Sequence, residues 1–169
     1  MTPNEFRRLI IEPGALWTFQ TCGVPSDTAA QRFLLAVAAK ESDLTERAQV
    51  INGGGAGPAR SFWQGELTGG MIKGVTGFYK PAIREAARKL CDAASVRYDR
   101  EAMWRAIEGH DLLAYGLARL LLRTDPGAIP ETEAEAWDCY AERLWRPGKP
   151  NKAKWPKAWA AAVAEFPLA

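Results

Sequence analysis

The sequence predicts a mainly α-helical fold, about seven or eight helices around a central apolar helix. Three observations lead there: a stretch at 111–123 that is apolar nearly all round, several segments whose apolar residues recur at helical spacing behind capping residues, and a glycine-rich interruption near 50–66 that no helix could cross. With 169 residues, 47% of them hydrophobic, the chain can bury one core and falls short of two ordinary ones, so 1–169 is read as a single domain.

In chain order, Ser26 can cap a helix over 27–40, in which Ala30, Phe33, Leu34, Val37 and Ala38 fall on one face. Glu41 then lies in or just past its last turn. Gly53, Gly54 and Gly55 make 50–57 a loop or a short irregular hairpin. The segment 67–79 is ambiguous, because Gly69, Gly70, Gly74 and Gly77 weaken the helix that Met71, Ile72, Val75 and Phe78 would define. Pro81 suits the first turn of a helix to about residue 91, and Asp99 can cap 100–107. Leu112, Leu113, Leu117, Leu120, Leu121 and Leu122 mark 111–123 as the core helix, which Asp125-Pro126-Gly127 ends. Pro130 and Glu131 open the next helix, which runs to the turn Arg146-Pro147-Gly148-Lys149-Pro150, and a last helix covers 154–165.

Composition narrows the function classes. Lys and Arg number 22 against 20 Asp and Glu, a formal charge of +2 that does not by itself point to nucleic acid. The basic groups Arg7-Arg8, Arg84, Arg88-Lys89 and those at 149–157 are separated, as on solvated faces, so no nucleic-acid partner is expected. Cys22, Cys91 and Cys139 are far apart and read as reduced structural thiols. The single histidine, His110, stands at a helix start as a cap or surface residue, and neither a metal nor another cofactor is expected. No signal-peptide pattern opens the chain and no apolar run has membrane-spanning length; the expectation is a monomer made in the cytoplasm and not inserted in a membrane.

The chemistry-bearing residues begin with Lys40-Glu41-Ser42. A glutamate where a packed apolar helix runs out, facing a loop rich in aromatics and amides, can hold its proton near neutral pH and give it to a leaving-group oxygen. The loop in question is Gly57-Pro58-Ala59-Arg60-Ser61-Phe62-Trp63-Gln64-Gly65-Glu66. Gln64 offers an amide donor and acceptor to a sugar N-acetyl group or else braces the loop, Phe62 and Trp63 offer rings for stacking with one of them expected in the core, and Arg60 either braces the loop or meets an acidic substrate group. Trp145 and Arg146, in a turn, are further cleft candidates, whereas Trp17, Trp104, Trp137 and Trp159 read as packing.

Glu41-Ser42 followed by Gly57-Pro58-Ala59-Arg60-Ser61-Phe62-Trp63-Gln64 resembles the paired signature of the lysozyme-like superfamily, which includes goose-type lysozymes and soluble lytic transglycosylases. With Leu122-Arg123-Thr124-Asp125-Pro126, and Tyr140 leading into Trp145-Arg146-Pro147-Gly148-Lys149-Pro150, most of the chain is similar to small phage-encoded members. The resemblance implies a lysozyme-like fold, peptidoglycan glycan strands as the partner, cleavage of the β-1,4 bond between N-acetylmuramic acid and N-acetylglucosamine, action on the cell wall after release or within a virion, and Glu41 as catalytic acid. Phe62-Trp63 stands where the familiar pattern has Leu-Met, and the third transglycosylase motif is echoed only by Tyr115-Gly116. Tyr115 and Tyr140 join the expected substrate contacts.

The second acid stays open. An inverting hydrolase needs a base roughly 6.5–9.5 Å from the acid, and Glu66 is a better candidate than Asp43, which would point away from Glu41 on the same helix, or Glu46. Without a second acid, Glu41 could serve as acid and then base on the muramyl C6 hydroxyl, giving 1,6-anhydro ends. The remaining alternative is a protein that holds glycan without cutting it.

Overall fold

The N-terminal third starts with a helix that the sequence analysis did not assign. In the computed structural model, which describes residues 1–51, 54–148 and 150–168, α1 (Pro3–Phe6) runs through a π turn (Arg7–Ile11) into α2 (Glu12–Cys22). Gly53 of the expected loop and Lys149 of the expected turn lie outside the described residues. Pro13 has no N–H to continue an α-helical ladder, and the widened turn before it accommodates that: the Glu12 N–H bonds back to the Arg7 carbonyl, five residues earlier. Thr2 and Glu5 close a capping box at the start, and Gly23, at φ 73°, ends the helix in the left-handed conformation that glycine adopts without strain.

Eight α-helices and one two-stranded sheet make up the regular structure of the described residues. The next helix, α3 (Thr28–Ser42), is capped by Asp27 rather than Ser26: the Asp27 carboxylate accepts from the Ala30 N–H at 2.8 Å. It runs two residues beyond the predicted end, which puts Glu41 inside its last turn. The expected loop or hairpin is a hairpin, with β1 (Ala48–Val50) antiparallel to β2 (Ala56–Arg60) and a register irregularity between Ala48 and Val50. The ambiguous 67–79 segment is a single π turn, Gly70–Gly74, continued briefly to Thr76. Then follow α4 (Pro81–Ala93), α5 (Arg100–Ala106) and α6 (Asp111–Thr124). The predicted 130–146 helix begins later, at Thr132, whose capping box with Glu135 starts α7 (Glu133–Asp138), and it passes into a π turn, Cys139–Leu144, before a short 3-10 turn and α8 (Trp155–Glu165).

Every residue of α6 from Leu113 to Leu122 is buried, each large apolar side chain there stabilising the fold by roughly 1.5–3 kcal/mol. It packs on α2, α3, α4 and the π turn Gly70–Gly74. Where α6 meets α2 the fit is tight: a Cβ on Gly14 would stand 2.5 Å from Tyr115 Cγ. Because Tyr115 is fully buried, it cannot step aside. Gly14→Ala is therefore expected to destabilise the protein by about 1–3 kcal/mol, read as a lower urea midpoint. Gly109→Ala, at a position with open space around it, is expected to stay within about 0.5 kcal/mol of the parent.

The three cysteines are free thiols, as expected. No helix among the described residues is long and apolar enough to cross a membrane.

Candidate active site

The last turn of α3, the hairpin and the turn after it, the π turn Gly70–Gly74, the end of α6 and the segment after α7 converge on an open cleft of about 850 Å³. Glu41 reaches it from α3, Gln49 from β1, Gln64 and Glu66 from the turn, and Arg143, Trp145 and Arg146 from the opposite end of the sequence.

Glu41 is half-buried. Burial pushes its carboxyl above the ordinary range; a hydrogen bond from Tyr140 and the nearby charge of Lys40 pull it down, while Glu66 pushes it up, and burial prevails. The Tyr140 hydroxyl donates to Glu41 Oε1. That leaves Oε2 to carry the proton. Burial and the adjacent Glu41 carboxylate together raise the Tyr140 phenol well above its ordinary value, so it stays a donor. Tyr140 is itself fixed by rings: it stacks on Trp155 with centroids 5.1 Å apart and planes 8° apart, and leans on Trp137 at 5.6 Å. Ser42, the second half of the motif, faces inward, its hydroxyl donating to the Ala38 carbonyl at 2.8 Å, so its role is to finish the helix.

After Glu41 the chain turns away sharply, with Asp43 and Leu44 both in the left-handed region at φ 49° and 57°. Gln64 (φ 50°) and Arg146 (φ 47°) repeat that costly conformation, and both line the cleft. Gln64 Nε2 donates to the Ser61 carbonyl at 2.9 Å, so part of its amide braces the turn. The Trp145 indole N–H donates to the Trp63 carbonyl at 3.0 Å, tying the far wall to the same turn. Arg143 is held by Asp125 at 2.8 Å. Burial opposes ionisation of Asp125, yet hydrogen bonds from Arg143 and Cys139 keep its carboxyl below the usual range.

Five of the expected substrate contacts are placed elsewhere. Phe62 and Trp63 are fully buried: Phe62 meets Phe6 edge to face at 4.9 Å, and the Trp63 indole N–H donates to the Leu34 carbonyl at 2.9 Å. The left-handed φ of 66° at Ser61 and the φ of 50° at Gln64 bracket the two rings in a turn that points them into the core, where their apolar area is removed from water. Tyr115 is likewise fully buried, under Gly14. Arg60 is consumed by structure, pairing with Glu108 at 2.8 Å, lying 4.5 Å over the Trp104 ring and donating to the Ala59 carbonyl. Tyr140 is buried beneath Glu41 and acts on that carboxyl instead of lining the cleft. Glu66, Gln64, Trp145 and Arg146 do line it. Sequence reasoning missed Gln49, Phe78 and Arg143 as lining residues; only Phe78, within the glycine-interrupted 67–79 segment, carried a signal. His110 caps α6, its Nδ1 accepting from the Leu113 N–H at 3.2 Å.

A second cavity, of about 700 Å³, lies among α2, residues 25–31 and residues 165–167. Its one cation, Arg7, is already paired with Glu12 at 2.7 Å and bonded to the Glu165 carbonyl.

Comparison with protein-family models, curated proteins and solved structures gives no match for this chain. The function of the cleft therefore rests on its own residues.

Proposed function

We propose that the protein is a peptidoglycan muramidase of the lysozyme-like kind, cleaving the β-1,4 bond between N-acetylmuramic acid and N-acetylglucosamine with Glu41 as general acid. The observation that carries the proposal is Glu41 itself: a half-buried carboxyl, raised in pKa by burial, held by a tyrosine on one oxygen, in the lining of an open cleft. A carboxyl that keeps its proton to higher pH than an ordinary glutamate, beside an open cleft, suits the protonation of a glycosidic oxygen. Gln64 and Trp145 supply an amide and a ring for N-acetylated sugars, and Arg146 supplies a cation for the acidic substituents of muramyl residues.

Glu66 shares the cleft with Glu41 and acts on its charge, which supports Glu66 as the base that activates water. One observation favours a second reading. Glu66 is exposed, and its carboxylate has no hydrogen-bond or ionic partner among the described residues, so nothing there orients it; a lytic transglycosylase, with Glu41 as sole acid and base and the muramyl C6 hydroxyl as nucleophile, needs no such residue. Mass spectrometry of digested peptidoglycan separates the two, since hydrolysis adds one water per cut and 1,6-anhydro ends are lighter by that water. Reducing ends are the expected product. Predominant anhydro ends would remove Glu66 from the mechanism, and binding without new ends would overturn the enzyme proposal.

A further inference from the structure

An aromatic pair stands partly in the cleft lining and partly outside it. Phe78 lines the cleft, and Tyr79 beside it is 74% exposed, the most exposed large apolar side chain among the described residues. The two rings touch, with centroids 4.7 Å apart and planes inclined at 45°. Tyr79 thus packs against a ring of the cleft lining while its own ring stays in water. Its backbone is not left to drift: Arg84, in the first turn of α4, donates to the carbonyls of both Phe78 and Tyr79, at 3.0 Å to the latter. The Lys80 ammonium stands 5.6 Å from the ring centroid.

Leaving a braced aromatic ring in water forgoes the stabilisation its burial would give, and the surrounding backbone holds it there. The C–H face of a pyranose is flat, weakly apolar and of matching size, so a ring of this kind at the mouth of a groove is suited to stack on a sugar while the sugar's hydroxyls stay hydrated. We propose that Tyr79 forms an outer glycan subsite, on which a sugar of the strand leaving the cleft past Phe78 stacks. This rests on the glycan reading of the cleft and goes beyond it, since it assigns a second binding position away from Glu41. The occupant is a β-1,4-linked N-acetylated glycan long enough to fill the cleft and emerge from it. Affinity then depends on strand length through Tyr79.

The test is calorimetric binding of amidase-released peptidoglycan strands, fractionated into tetrasaccharides and long chains, to proteins carrying Glu41→Gln so that no strand is cut. Tyr79→Ala in that background is expected to weaken binding of long chains about tenfold and leave tetrasaccharide binding unchanged, with Tyr79→Trp restoring the long-chain affinity. Tyr79 is exposed, so folding should not be disturbed. Unchanged long-chain affinity in Tyr79→Ala overturns the subsite and leaves the glycan reading of the cleft standing. Equal weakening for both lengths also overturns it, because it places Tyr79 in the inner cleft. Failure of the Tyr79-intact protein to bind either fraction overturns the glycan reading itself, and the subsite with it.

Discussion

Glu41→Gln is expected to lower cell-wall lysis by about 10²–10⁴-fold while the far-ultraviolet circular dichroism stays that of the parent. The amide matches the carboxyl in volume and can still accept from the Tyr140 hydroxyl, so what is removed is the transferable proton on Oε2. Turbidity loss of a peptidoglycan suspension measures it. Undiminished lysis in this variant would show that Glu41 is not the acid.

The same substitution has a stability signature of defined sign. The Glu41 carboxyl is raised in the folded protein, mainly by burial, so the folded chain holds a proton that the unfolded chain releases. The stabilisation from this group is complete below the ordinary glutamate range, near pH 4, and is lost as pH rises through the folded value. At neutral pH the parent therefore bears a cost that the glutamine variant does not, and Glu41→Gln is expected to melt higher than the parent at pH 7 and alongside it near pH 4. On the proposed mechanism the same titration sets the alkaline limb of activity, because only protonated Glu41 can donate.

Where residue pattern and burial agree, the fold was legible beforehand. The apolar faces of α3 and α6 sit where the spacing put them, because both helices are held mainly by what they bury. The helix at 3–22 was hidden by Pro13-Gly14, a pair that normally breaks helices. Here the π turn absorbs the proline and Tyr115 requires the glycine, and Tyr115 lies about a hundred residues away, so only packing could reveal it. The candidate site divides in the same manner. Glu41, Gln64 and Glu66 could be placed from the motif, since one helix end and one turn position all three. The motif does not say which way Phe62 and Trp63 face, because that is decided by two left-handed residues, Ser61 and Gln64, whose residue types do not announce that uncommon conformation. Tyr140 was found for the wrong reason: nothing local says that a tyrosine 99 residues away will bond to Glu41 rather than to a sugar.

Trp155→Ala is expected to be the most damaging single truncation near the site. Trp155 is fully buried: it stacks on Tyr140, packs at 5.7 Å on Trp137 and at 6.3 Å on Trp159, and donates from its indole N–H to the Glu133 carbonyl at 3.2 Å. Removing a buried indole typically costs about 3–5 kcal/mol, through lost burial and the cavity left behind, and the indole hydrogen bond to Glu133 goes with it. The loss should appear as a large fall in the urea midpoint. It should also reach the chemistry, because Trp155 is the surface against which Tyr140 is held. A loosened Tyr140 no longer pulls the Glu41 carboxyl down, burial is less opposed, and the alkaline limb of lytic activity should move to higher pH. Trp155→Phe keeps a ring for Tyr140 to stack on while shedding the indole N–H, and is expected to lose stability with little movement of that limb. If Trp155→Phe shifts the limb as far as Trp155→Ala does, a stacked ring is not what positions Tyr140; if neither variant shifts it, the π turn at Cys139–Leu144 maintains the hydrogen bond to Glu41 without Trp155.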